Sequence, residues 1–231
     1  MPKPEPPAGE NETLSHNLLG QRLGRKGRDT RERILAATEK LLAGPPETAI
    51  SLSAVAREAS LGMTTLYLYF SDLAELLLAV LDPIMASSED AYLIQLREHW
   101  ADEKLGEKCF AFVRAFHDFW SRNSRILHLR NSMADNNDER MRQFRISSAQ
   151  TVIALLARQM SEVPVSDDPR LHATASVLMT GLERVVTMAT DLYTLRSMTG
   201  DPSLHVNESL KAEARLLELG IRDRRQTEFS A

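Results

Sequence analysis

The segment at residues 61–70, LGMTTLYLYF, sets Thr64 and Thr65 beside tyrosines at positions 67 and 69. If this is a short helix buried through Leu61, Leu66 and Phe70, then Met63, Thr64, Thr65, Tyr67, Leu68 and Tyr69 are left facing outward. Two tyrosines, a leucine and a methionine in water without a partner would be odd. Hydroxyls, however, bond phosphate oxygens, and apolar tips touch thymine methyl groups. Upstream, Arg22, Arg25, Lys26 and Arg28 form a basic cluster spaced by Gly24 and Gly27, a composition suited to lying along a phosphate backbone or entering a minor groove. Between positions 21 and 70, eight basic residues stand against five acidic ones, a balance of +3, so the rest of a chain with net charge -4 carries -7. A basic head on an acidic body is the asymmetry of a protein that meets nucleic acid at one end, although solvated charged faces are common.

Other chemistries lack their residues. No Gly-rich phosphate loop, no Glu-x-x-His pair for a helical di-metal site and no nucleophile with a recognisable base nearby can be found, so an all-α enzyme is the weaker alternative. The single cysteine, Cys109, excludes an intramolecular disulfide and a thiolate metal cluster. Neither metal nor cofactor is expected. With no long apolar run and a polar, proline-rich start, the expected address is the cytoplasm, with no membrane partner.

The elements that must position these residues are helices. The 231 residues include 33 Leu and 25 Ala against 10 Val and 8 Ile, a mixture that favours helix over strand. Asp29 with Glu32, or Thr30, is placed to cap a first helix with an apolar face of Ile34, Ala37 and Leu41. That helix stops at Gly44-Pro45-Pro46. Ser51 caps a second helix through Leu52, Val55, Ala56 and Ala59. After a break at Ser60-Leu61-Gly62 comes the short helix of residues 63–70, and Ser71 or Asp72 caps a fourth through Leu76, Leu77 and Val80. Two short helices around a glycine-containing turn make a helix-turn-helix unit.

Residues 28–82 resemble the TetR family of bacterial transcriptional regulators. The likeness lies in Thr30-Arg31-Glu32-Arg33-Ile34-Leu35-Ala36-Ala37, in Ser51-Leu52-Ser53-Ala54-Val55-Ala56 and in Thr65-Leu66-Tyr67-Leu68-Tyr69-Phe70. It implies an all-α protein with a flexible basic arm at 1–28, a three-helix DNA-binding domain at 29–82, and a helical ligand-binding and dimerisation domain at 83–231. It also implies a homodimer on double-stranded operator DNA, usually a repressor released by a small molecule. Carried onto this sequence, Met63 and Thr64 touch bases, Thr65, Tyr67 and Tyr69 touch phosphates, and Leu68 faces DNA or solvent. Ser51, Ser53, Arg25, Lys26 and Arg28 complete the expected DNA surface. Three positions depart from the pattern: Ser60 stands where the turn often has glycine, Gly62 replaces a hydroxyl cap, and Leu73 replaces a lysine beside the backbone.

Beyond residue 83 the pattern gives helices at about 84–100, 105–121, 124–133, 138–160, 169–196 and 205–226, with breaks at 163–168 and 199–202. On the fifth of these, Leu171, Ala175, Leu178, Leu182, Val185, Ala189 and Leu192 form one stripe, and Val177, Gly181 and Met188 a second. Two apolar faces suit packing on its own domain and on a partner. The expected dimer surface is Leu178, Leu182, Val185 and Ala189 with Leu210, Ala214, Leu217 and Ile221; the alternative is a helix buried within one subunit. An apolar or amphipathic effector is expected among Phe112, Phe116, His117, Trp120, Met133, Met141, Phe144 and Met179, although aromatic stripes are more often plain core. A TetR-like protein without a small-molecule signal is the further alternative. A large closed cavity favours the first reading, and solid packing the second.

Overall fold

The computed structural model describes residues 23–161, 168–197 and 199–228. Residues 1–22, which include Arg22 and most of the expected arm, and the break at 163–167 lie outside the described residues. Every regular element among the described residues is helical, and the chain divides into two compact units, one ending at Leu81 and the other beginning at Asp82.

In the first unit α1 (Arg25–Ala43), α2 (Leu52–Glu58), α3 (Met63–Leu66) and the start of α4 (Leu73–Ala86) enclose Ile34, Ala37, Val55, Ala56, Ala59, Leu66, Phe70 and Leu76. α1 starts earlier than its capping signals suggest. Gly24 is the N-cap, without a side-chain cap bond, and the Thr30 hydroxyl instead donates to the Lys26 carbonyl at 2.9 Å. Arg25, Lys26 and Arg28 are therefore helical, not part of a loose arm. Nor does Gly27 serve flexibility: a Cβ there would come within 2.8 Å of Leu23 Cδ2, so glycine lets Leu23 close over the helix. α2 opens where expected, the Ser51 hydroxyl accepting from the Ala54 N–H at 3.2 Å. It ends with the Leu61 N–H on the Ala56 carbonyl and the Ser60 N–H on the Arg57 carbonyl, which drives Ser60 to φ +53°. α3 is a single turn, and residues 67–69 continue it as turns. At α4 the Asp72 carboxylate accepts from the Glu75 N–H (2.9 Å), while the Glu75 carboxylate reaches back to the Ser71 N–H (2.7 Å).

The second unit holds the end of α4, α5 (Ile94–Arg97) after a π-helical turn at Glu89–Leu93, α6 (Leu105–Arg122), α7 (Ser124–Asp135), α8 (Glu139–Gln159), α9 (Pro169–Thr190), α10 (Leu192–Ser197) and α11 (Pro202–Glu228). The helix expected at 84–100 is thus broken, and so is that at 169–196. Asp191 leaves helical geometry at ψ 111°, and its carboxylate accepts the Thr194 hydroxyl at 2.5 Å. α6 lies at the centre, packed by α11 and α9, with α8 between α7 and α9. Behind α5, the buried Gln159 amide accepts the Trp100 N–H (2.9 Å) and donates to the carbonyls of Leu96 (2.9 Å) and Glu98 (2.8 Å), satisfying backbone that α5 leaves open where it stops.

Candidate functional site

The outward face of the first unit is built from short-range rules. Leu66 and Phe70, 0% and 1% exposed, anchor α3 and its trailing turns. Thr64 and Tyr67, one helical turn apart, are both exposed, Tyr67 at 49%. Thr65 and Leu68 are half-buried, and Met63 and Tyr69 pack partly against the core, so those two offer only an edge outward. Arg25, Lys26, Arg28 and Ser53 are exposed. Arg28 is partly engaged, donating to the Leu23 carbonyl at 3.0 Å, and the Ser51 and Ser53 hydroxyls lie 3.1 Å apart. Arg31 stacks over Phe70 at 5.3 Å and ties α1 to the end of the turns that follow α3.

In the second unit, Tyr92 meets Phe116 at 4.9 Å and Phe119 at 5.2 Å edge-on, and the series continues through Phe112 to Trp100 and through Phe116 to Trp120. A cavity of about 20 Å³ lies beneath it, lined by Tyr92, Phe116, Trp120, Arg130, Arg145 and Met179 among others. That is room for about one water molecule. Of the expected ligand residues, Phe116, Trp120 and Met179 line this cavity. Phe112 and Met141 are fully buried, and Met133 and Phe144 are half-buried; none of these four lines the cavity. His117 turns the other way. It lies within 3.3 Å of both Asp118 Oδ1 and Ser121 Oγ, on an open groove of about 460 Å³ that Arg114, Pro202 and Asn207 also line. This Ser-His-Asp series lies in the last two turns of α6, where the helix's own backbone N–H groups are bonded within it.

The charged part of the cavity is absent from the sequence reading. Arg130, 3% exposed, stacks on Trp120 at 5.5 Å and donates to Glu183 Oε1 at 2.9 Å. Its signal was a charge at a core position of the stripe Ile126, Leu127, Arg130, Ala134. Burial pushes the Tyr92 phenol up to about 12 and the Cys109 thiol up to about 12, leaving both uncharged and the thiol unreactive.

The stripe expected to face a partner lies inside the chain's own core. Leu182, Leu217 and Ile221 are 0% exposed and Leu210 and Ala214 are buried, because α9 and α11 turn this face onto each other and onto α6. Leu178 packs over Gly220 of α11, Ala189 lines the outer groove, and Val185 is half-buried. The uncovered apolar side is the other one: Val177 and Met188 on α9, 72% and 40% exposed, with Leu216 and Leu219 on α11, 55% and 45%.

No family model matches the sequence, and no curated protein is similar to it. Solved structures are similar to it. A protein assigned as a transcriptional regulator in Streptomyces coelicolor A3(2) superposes with TM-score 0.56 at 18% identity, over 82% of this chain and 98% of its own. A TetR/AcrR-family transcriptional regulator of Thermobifida fusca YX-ER1 gives 0.52 at 16%, over 80% and 97%. FadR of Thermus thermophilus, a TetR-family repressor solved with lauroyl-CoA, gives 0.53 at 17%, over 81% and 92%. The chain has the TetR regulator fold. In that fold α2 and α3 are the helix-turn-helix pair, and the second unit is the larger helical domain. No helix among the described residues is long and apolar enough to cross a membrane.

Proposed function

We propose that this protein is a DNA-binding transcriptional regulator and not an enzyme, acting as a homodimer and most simply as a repressor. The observation that carries the reading is the α2–turn–α3 unit, which turns Thr64 and Tyr67 to solvent and whose trailing end is met by Arg31 of α1 stacked over Phe70. Thr64, with the edge of Met63, reads base pairs, while Thr65, Tyr67, Ser53, Arg25 and Lys26 hold phosphates. The second copy docks on Val177, Met188, Leu216 and Leu219, an apolar strip on two adjacent helices that suits an isologous four-helix contact.

The regulator answers to an amphipathic small molecule at the aromatic cluster, a reading supported by an apolar wall with buried polar anchors and by the acyl thioester in the FadR structure. The size of the cavity favours a second reading, a regulator with no such signal, because an effector must first displace side chains. Selection of duplexes from a random-sequence pool tests the DNA-binding function. Enrichment of a two-fold symmetric site supports it; a pool that stays random after repeated rounds defeats it.

A further inference from the structure

The cavity beneath the aromatic cluster carries more positive charge than its own cohesion explains. Arg130 of α7 is 3% exposed and already paired with Glu183 of α9, yet a second guanidinium, Arg145 of α8, lines the same space. The partner of Arg145 is Asp135 at 2.8 Å, whose side chain is 68% exposed and thus lies largely in water. Within the cavity, two guanidiniums face one carboxylate. Burying such charges costs desolvation that well-packed apolar side chains of the same volume avoid, so stability alone is a poor account of an arginine held against Trp120. Apart from Ser148, whose hydroxyl donates to the Phe144 carbonyl at 2.7 Å, the rest of the wall is aromatic and aliphatic, with Met85 and Met179 as its adaptable members.

We propose that Arg130 and Arg145 form a head-group socket for the carboxylate of an amphipathic acid, the apolar body of which displaces Met85 and Met179. This rests on the reading of the chain as a ligand-responsive regulator and names the class of its effector. The visible space suits a head-group oxygen and not a tail. Glu183 and the Asn131 side-chain oxygen hold Arg130 in the arrangement seen here, so an incoming carboxylate competes with the Glu183 carboxylate for the guanidinium.

The test is calorimetric titration of the full-length protein with sodium decanoate, decanol, decyltrimethylammonium and sodium acetate, with DNA retention measured on the same preparations. Decanoate should bind about tenfold or more tightly than decanol or the ammonium, the loss expected for a charge-assisted hydrogen bond. Acetate should bind far more weakly, since it lacks the body. Arg130→Gln empties a buried charge position beside Trp120 and can fail to fold, so the partly exposed Arg145 is the better probe. Arg145→Gln should weaken decanoate about tenfold and leave decanol unchanged, and Glu183→Gln, which removes the competitor, should tighten decanoate. Decanol equal to decanoate, preference for the ammonium, acetate as tight as decanoate, or weaker decanoate binding in Glu183→Gln would each overturn the socket. Retention of DNA with no uptake of decanoate overturns the socket and leaves the DNA-binding function standing. Uptake of decanoate through Arg145 without DNA retention does the reverse.

Discussion

Ser60 shows how a single side chain records a compromise. Its φ of +53° completes the hydrogen-bonded end of α2, a conformation glycine adopts without penalty, so Ser60→Gly should raise stability by about 1 kcal/mol without moving α3. Denaturant melts of the parent and the variant measure this. At the DNA face, residues that hold by charge and by neutral hydrogen bonds separate by salt. Arg25→Ala or Lys26→Ala should flatten the plot of log K against log salt by about 0.9, one fewer counterion being released. Tyr67→Phe should cost about 0.5–1.5 kcal/mol with the slope unchanged. Equal slope changes would show that one of the two assignments is wrong. The exposed threonine and tyrosine were legible in the sequence because they interrupt an apolar pattern within two turns. Arg130, Gln159 and Glu183 were not, because the partners that make burial tolerable come from distant helices and no local spacing marks them.

At the scale of elements, the period of α9 announced two apolar faces but could not say which goes inward. The answer lies in partners: Leu182 meets a core made by α6 and α11, whereas Val177 is left 72% exposed among the described residues. Val177→Glu or Leu216→Glu should therefore give folded monomers, since the new charge stays in water until a second copy arrives. Leu182→Glu should unfold the protein by burying an unpaired charge. Sedimentation combined with circular dichroism distinguishes the cases, and folded dimers from both surface variants would refute the assigned face. Between the same helices, Glu213 is 4% exposed with its carboxylate against Gly181, and burial raises its pKa above the ordinary 4.5. The native state thus holds this proton more tightly than the unfolded chain, so stability contributed by the neutral form is full below pH 4.5 and falls as pH rises from there through the native pKa. Glu213→Gln should melt higher than the parent at neutral pH and level with it in acid; equal melting at both would remove the burial penalty from the account. The breaks at Asp191 and at the π-helical turn escaped the sequence because helical periodicity continues through them.

For the whole molecule, the fold class was readable, since composition sums over many residues and survives local misreadings. The chain passes from one unit to the other inside α4, so any signal carried along the chain from an effector to the DNA face runs through that helix. Under the proposed function, linkage makes such a signal reciprocal: any factor by which decanoate weakens operator binding must equal the factor by which operator weakens decanoate binding. The claim on which everything else depends is that α3 reads sequence. Its most direct measurement is the affinity of the parent and of Thr64→Ala for every single-base variant of the selected site. Thr64→Ala should redistribute affinity by about 1–3 kcal/mol at one base pair in each half-site, while Arg25→Ala weakens all variants alike. Uniform loss from both substitutions, or no change from Thr64→Ala at any base pair, would contradict it.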